Sequence, residues 1–203
     1  YSYTSIPNNS DFELLDDEEF WNILEFKNWI VFQSLSRLVF FDPNTQEINF
    51  ISPKGGVWKS FVIDDNLYFF ISKMGIYKIE DGGYVPHNTN ILFHENDIIG
   101  LYKKENNLLA LTRYSGFYNV LTENKISTWK TYLNDLNQVT VYSSLMNKEG
   151  SFSVGTVKKG LIKIDKNGNL VDLLNKQNSI INNTVLSVFE DKNRNLWLGL
   201  DNG

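Results

Sequence analysis

The 203-residue chain has no cysteine, one alanine (Ala110) and two histidines (His87 and His94). The missing cysteine removes thiol nucleophiles, thiolate metal sites and disulfides, and fits a cytosolic or a periplasmic protein equally well. The near-absence of alanine removes the best helix former. Asn, Ile, Phe, Tyr and Val are plentiful instead, so the composition leans to strands and turns. No apolar run approaches the roughly eighteen residues that cross a bilayer, and stretches such as Trp29 to Phe32 and Leu38 to Phe41 are strand-sized. No basic block is present and the net charge is -5, which argues against nucleic acid as a partner of this segment. The chain opens on Tyr1 and closes on Gly203 in a turn signal, leaving room for a signal peptide and a membrane anchor elsewhere in a parent protein.

What is present is a repeat. A short apolar strand, a small or charged turn and an apolar pair recur, with turn anchors at Arg37, Gly75, Gly116, Gly160 and Gly203 and spacings of 38, 41, 44 and 43 residues. A period near forty is that of a four-stranded propeller blade. Eight to ten residues before each anchor stands a second turn signal, at Asn28, Asn66, Asn107, Gly150 and Asn195, and another strand precedes it. Those upstream strands read WNILEF, VWKSFVI, IIGLYK, VYSSLM and VLSVFE; Gly100, Ser144 and Ser187 lie sixteen residues before their anchors, where small residues suit an innermost strand. A fourth strand follows at 47–51, 125–130 and 170–174.

The expected fold is therefore all-β: a β-propeller fragment of four-stranded antiparallel blades, about four and a half repeats, at approximately 19–51, 55–93, 95–133, 139–174 and a half-blade at 184–203. So few blades suggest an incomplete ring, with Tyr1 to Ile6 as the outer strand of a preceding blade. The acidic stretch 11–26 has a competing reading as a helix capped by Asp11, but the repeat register assigns Trp21 to Phe26 to a strand and the residues before it to a connector.

The last repeat, VLSVFEDKNRNLWLGLDNG (185–203), resembles the two-component regulator propeller repeat: an apolar strand, Glu-Asp, a turn, Leu-Trp-apolar-Gly-Thr and a closing Gly. Glu190, Asp191, Leu196, Trp197, Gly199 and Gly203 fall on pattern positions, with Leu200 in place of Thr and Asn195 in place of Gly. The fourth repeat keeps Gly155, Thr156, Gly160 and Leu161, and the segments 18–23 and 30–34 resemble stretches of membrane-anchored LuxR-type regulators. The resemblance implies a periplasmic or extracytoplasmic sensor, often of an oligosaccharide, whose parent carries a membrane helix and a histidine kinase or DNA-binding output. Its partners would be that ligand and the remaining blades and downstream domains of the parent. A structural interaction propeller and a polysaccharide-acting propeller enzyme are the alternatives, since a fold does not fix a function.

No catalytic constellation, metal site or cofactor is expected. His87 and His94 stand in a polar connector without triad-like spacing. Asp165 to Asn169 and Asp191 to Asn195 both read D-x-N-x-N, but lack the glycine and distal acid of a calcium loop and fall at hairpin tips. Asp16 to Glu19 reads as a solvated connector, and the matches to a glycosylation sequon at 8–10 and 182–184 carry no function in so Asn-rich a chain. Trp21, Trp58, Trp129 and Trp197 fall within expected strands, where packing between blades is the default. One feature points to a ligand. The turns between the second and third strands carry Arg37, Lys73, Arg113, Lys158 and Lys159, with Tyr114 beside Arg113, so that this face is the candidate binding rim for an acidic saccharide or an acidic partner patch.

Overall fold

The computed structural model describes residues 13–136 and 138–202. Tyr1 to Ile6, the sequon at 8–10 and the anchor Gly203 lie outside the described residues. The chain divides into two compact units, residues 1–94 and 95–203.

The first unit holds two four-stranded antiparallel sheets, each in plain sequence order. Sheet 1 is β1 (Asn22–Phe26), β2 (Trp29–Gln33), β3 (Leu38–Phe41) and β4 (Ile48–Ile51); sheet 2 is β5 (Lys59–Ile63), β6 (Asn66–Ile71), β7 (Gly75–Glu80) and β8 (Gly83–Asn88). Adjacent strands are joined by tight turns, as short loops with left-handed residues dictate: Asp64 and Asp65, with φ of 47° and 56°, alone connect β5 to β6. The core between the sheets is apolar and aromatic. Val31, Leu38, Val57, Leu67, Phe69 and Ile71 are buried there together with Phe26, Phe40 and Tyr77.

One buried polar residue clasps the two sheets. Gln33, 1% exposed, donates through Nε2 to the carbonyls of Val57 and Trp58 and accepts from Ser60 Oγ at 3.0 Å. With both ends of the carboxamide satisfied, its burial costs little.

The second unit holds two four-stranded sheets and a hairpin. Sheet 3 is β9 (Ile98–Lys104), β10 (Asn107–Thr112), β11 (Gly116–Val120) and β12 (Ile126–Trp129); sheet 4 is β13 (Thr140–Met146), β14 (Phe152–Val157), β15 (Leu161–Ile164) and β16 (Leu170–Leu174); sheet 5 pairs β17 (Val185–Glu190) with β18 (Leu196–Leu200). The first strands of successive sheets pack on one another, β9 on β13 and β13 on β17. Each of these three first strands carries an irregularity in its pairing near the start, with Ile99, Tyr142 and Leu186 as the extra residues. The core between sheets 3 and 4 is built from Leu109, Leu111, Phe117, Phe152, Val154 and Ile162, among others.

The structure corrects two local expectations. Trp21 and Trp58 stand one residue before β1 and β5, not inside them. In agreement with the repeat register, the described residues 13–26 form a connector and a strand and no helix. The second repeat has a fourth strand where a connector was expected: β8 contains Pro86 and His87. Proline conceals a strand in sequence, but β8 is the outer strand of its sheet, where a missing N–H costs no ladder bond. His94 lies in a one-turn helix, α1 (Leu92–Glu95).

Candidate ligand-binding surfaces

In sheets 1, 3 and 4 the turns between second and third strands share a built device. In sheet 3 the Thr112 hydroxyl donates to the Gly116 carbonyl at 2.9 Å and accepts from the Ser115 N–H; in sheet 4 Thr156 does the same with Gly160, at 2.8 Å, and the Lys159 N–H. Ser34 plays this part in sheet 1 toward Arg37. The threonine of the repeat pattern is thus a turn cap. The closing glycine has a separate reason: Gly160 has φ of 84°, and a Cβ there would fall on the Leu174 carbonyl.

On these turns the candidate residues are placed very differently. Arg37 is buried, not presented to solvent: its side chain is 5% exposed and pairs with Glu18, 2% exposed, at 2.6 Å. The Arg37 Nε also donates to Glu18, and a terminal nitrogen donates to the Glu13 carbonyl. Burial pushes the Glu18 carboxyl up, but hydrogen bonds from Arg37, Ser34 and the Leu15 N–H outweigh it and bring its pKa to about 2. Arg113 is half-buried with Asp97 4.0 Å away. Lys73, Tyr114, Lys158 and Lys159 are exposed. Sequence reasoning could not separate the paired arginines from the solvated lysines, because Glu18 and Asp97 lie in the connectors that precede the first strands.

The other singled-out residues divide in the same way. Asp191 Oδ1 accepts from the N–H groups of Asn193 and Asn195, and Oδ2 accepts from Asn195 Nδ2 and from the Trp197 indole at 2.9 Å. Those donors, Trp197 first, lower its pKa to about 2. Asp165 closes its own turn on Asn167 and Asn169 in the same manner. Both D-x-N-x-N stretches are therefore hairpin tips, and no group of three or more His, Asp or Glu among the described residues has metal-site spacing. His87 is half-buried edge-on to Tyr68, at 5.1 Å between ring centroids, and desolvation together with nearby Lys78 lowers its pKa. Trp21 and Trp197 are mainly exposed, at 65% and 63%, and Trp58 is 39% exposed, so of these four tryptophans packing between sheets accounts for Trp129 alone.

Sequence reasoning missed a cleft inside the first unit. It lies between sheets 1 and 2, has a volume of about 560 Å³, and is floored by Phe26 and Phe40, with Trp29 and Ile51 along its wall. Trp29 meets Phe40 edge to face at 6.2 Å. Phe50, 49% exposed, pairs with Val39 on the opposite face of sheet 1, where the Arg37 guanidinium lies 5.3 Å from its ring centroid. Neither a motif nor a charge run marks it, since it arises where two sheets diverge.

Residues 179–202 match the family model described as two component regulator propeller. Among curated proteins none matches the sequence. In fold, the chain is similar to the extracellular domain of BT4673 from B. thetaiotaomicron, described as a hybrid two component system, with a TM-score of 0.67 and 14% identity over 88% of this chain and 25% of that one. It is similar to the corresponding domain of BT3049 from the same organism, with a TM-score of 0.64 and 16% identity over 90% and 25%. The WD40 β-propeller domain of Doa1 matches with a TM-score of 0.68 and 10% identity over 90% and 61%. The chain thus spans about a quarter of the length of the two bacterial domains. Residues 179–202 thus match the two component regulator propeller repeat, in a nearly all-β chain whose sheets are β-propeller blades.

Proposed function

We propose that this chain is a segment of an extracytoplasmic sensing propeller in a transmembrane regulator, one that binds an oligosaccharide and passes the signal to a kinase or DNA-binding output elsewhere in the parent. The observation that carries the reading is the repeat at residues 179–202, whose Asp191, Trp197 and Gly199 have structural work in the hairpin. The likeness in fold to extracellular domains of two component systems supports it. A blade built this way is a rigid scaffold, and ligand contacts on such scaffolds come from turns and from the gaps between blades.

The exposed turn residues Lys73, Tyr114, Lys158 and Lys159 remain available for an acidic sugar or a partner domain, whereas Arg37 is committed to Glu18. The test is transcript profiling of cells carrying the parent gene or its deletion, grown on a panel of polysaccharides. Loss of induction on one polysaccharide supports sensing. An unchanged transcriptome on every polysaccharide would refute it.

A further inference from the structure

The gap between sheets 3 and 4 is closed by an aromatic ring, and the gap between sheets 1 and 2 is not. Trp129, the last residue of β12, pairs with Phe117, and its ring lies 5.1 Å from Phe117 and 5.7 Å from Phe152 of β14. Lys104, the last residue of β9, covers that indole with its Nζ 3.3 Å from the ring centroid. In sheet 1 the last residue of β4 is Ile51, which pairs with Leu38 as Trp129 pairs with Phe117. Leu67 stands eight residues before Gly75, where Phe152 stands eight before Gly160. Phe26 takes the register of Lys104, pairing with Trp29 as Lys104 pairs with Asn107. Three rings and a lysine of the closed gap thus become Ile51, Leu38, Leu67 and Phe26, and about 560 Å³ stays open. Strand register puts Phe26, Trp29, Phe40, Asn49 and Ile51 on the face of sheet 1 that packs on sheet 2, so these residues line that space.

We propose that this cleft receives an aromatic side chain of a partner polypeptide, one with a lysine or arginine next to it. The closed gap shows what the space suits, since there the chain's own indole and ammonium fill it. Phe26, Trp29 and Phe40 offer ring faces and edges on which a further ring packs edge to face or offset. Asn49 donates through Nδ2 to Glu47, which leaves its carbonyl oxygen on the wall as an acceptor for an indole N–H. The mouth selects the charge beside the anchor. The two-residue turns of sheet 2 bring Asp65 and Asp81 to it, against Lys27 of sheet 1, whose Nζ already lies over the Phe26 ring at 5.1 Å. Lys78 and Glu80 alternate with Ile79 and point to the other face of sheet 2. Anions therefore outnumber cations at the mouth, so a basic neighbour of the anchor is attracted and an acidic one repelled. This interaction goes beyond the sensing reading and does not depend on it.

The test is an NMR titration of the isotope-labelled full chain, followed at the tryptophan indole N–H signals. The probes are acetyl-Lys-Trp-Lys-amide, acetyl-Glu-Trp-Glu-amide, acetyl-Lys-Ala-Lys-amide and tryptamine. The first is expected to shift the Trp29 indole signal to saturation, and to bind about tenfold or more tighter than the other two peptides. Ile51→Trp should plug the cleft as Trp129 plugs its counterpart, weakening that peptide about tenfold or more with an unchanged circular dichroism spectrum. Asp65→Asn combined with Asp81→Asn keeps two left-handed turn positions that asparagine tolerates, and should bring the basic and acidic tryptophan peptides to similar affinity. Should Ile51→Trp fail to fold, the double asparagine variant decides. No shift at Trp29, equal binding of the alanine peptide, or binding unchanged in both variants overturns the site. Equal wild-type affinity for the basic and acidic tryptophan peptides overturns the basic neighbour, and tryptamine binding as tightly as the basic peptide overturns a polypeptide as the occupant. The transcript profile tests sensing separately, so either reading can fall while the other stands.

Discussion

The pair between Arg37 and Glu18 joins the connector ahead of β1 to the turn that closes β2, and both side chains are almost fully buried. Removing one member leaves the other charge uncompensated in a low-dielectric pocket, which costs about 3 to 5 kcal/mol. Linkage gives a second figure. A carboxyl held at about 2 against a reference of 4.5 contributes about 3 kcal/mol, at 1.36 kcal/mol per unit. Because the folded pKa lies below the unfolded one, that contribution is complete above pH 4.5 and is lost as pH falls toward 2. The assay is urea unfolding of wild type, Glu18→Gln, Arg37→Met and the double variant Glu18→Leu with Arg37→Met. Each single variant should lose about 3 kcal/mol at pH 7, and the double variant much less than the sum, since well-packed apolar replacements of a buried pair are often neutral. The gap between wild type and Glu18→Gln should shrink steadily below pH 4.5. Single variants that each cost under about 0.5 kcal/mol, the level of a solvated surface pair, would refute the reasoning.

Three further outcomes follow from the turns. Thr156→Val removes a buried hydroxyl that bonds both Gly160 and Lys159, and should destabilise the chain by about 1 to 3 kcal/mol in the same urea assay. Gly160→Ala puts a Cβ into the Leu174 carbonyl at a positive φ and should cost more than about 1 kcal/mol, whereas Gly82→Ala, also at positive φ but with open space around it, should cost less; equal losses would assign the effect to backbone conformation alone. The Asp191 carboxyl should titrate near pH 2 by carbon-detected NMR, and in Trp197→Phe its midpoint should move upward, because the indole is the largest of the donors that hold it down.

The repeat was legible because it is written in local chemistry. Period-two apolar runs, left-handed turn positions at Gly75, Gly116 and Gly160, and self-capping Asp165 and Asp191 depend on neighbours within a few residues, so spacing alone reports them. Strand β8 was illegible since Pro86 argues against a strand unless the strand is known to be an outer one, and that is a property of the sheet. Trp21 and Trp58 were misread for a related reason: their apolar character predicts burial, while the ends of first strands at which they stand are open to solvent.

The sequence by itself determined the blade period, the all-β class, the turn chemistry and the identity of the last repeat, each of which rests on contacts between residues close in the chain. Only the tertiary structure decided which charges are spent and which spaces are filled. Arg37 and Lys158 are alike as turn cations in sequence, yet Glu18, nineteen residues upstream of Arg37, neutralises one of them. Ile51 and Trp129 are both apolar strand residues, yet one leaves a cleft and the other closes it, because the outcome depends on side-chain volume against a neighbouring sheet.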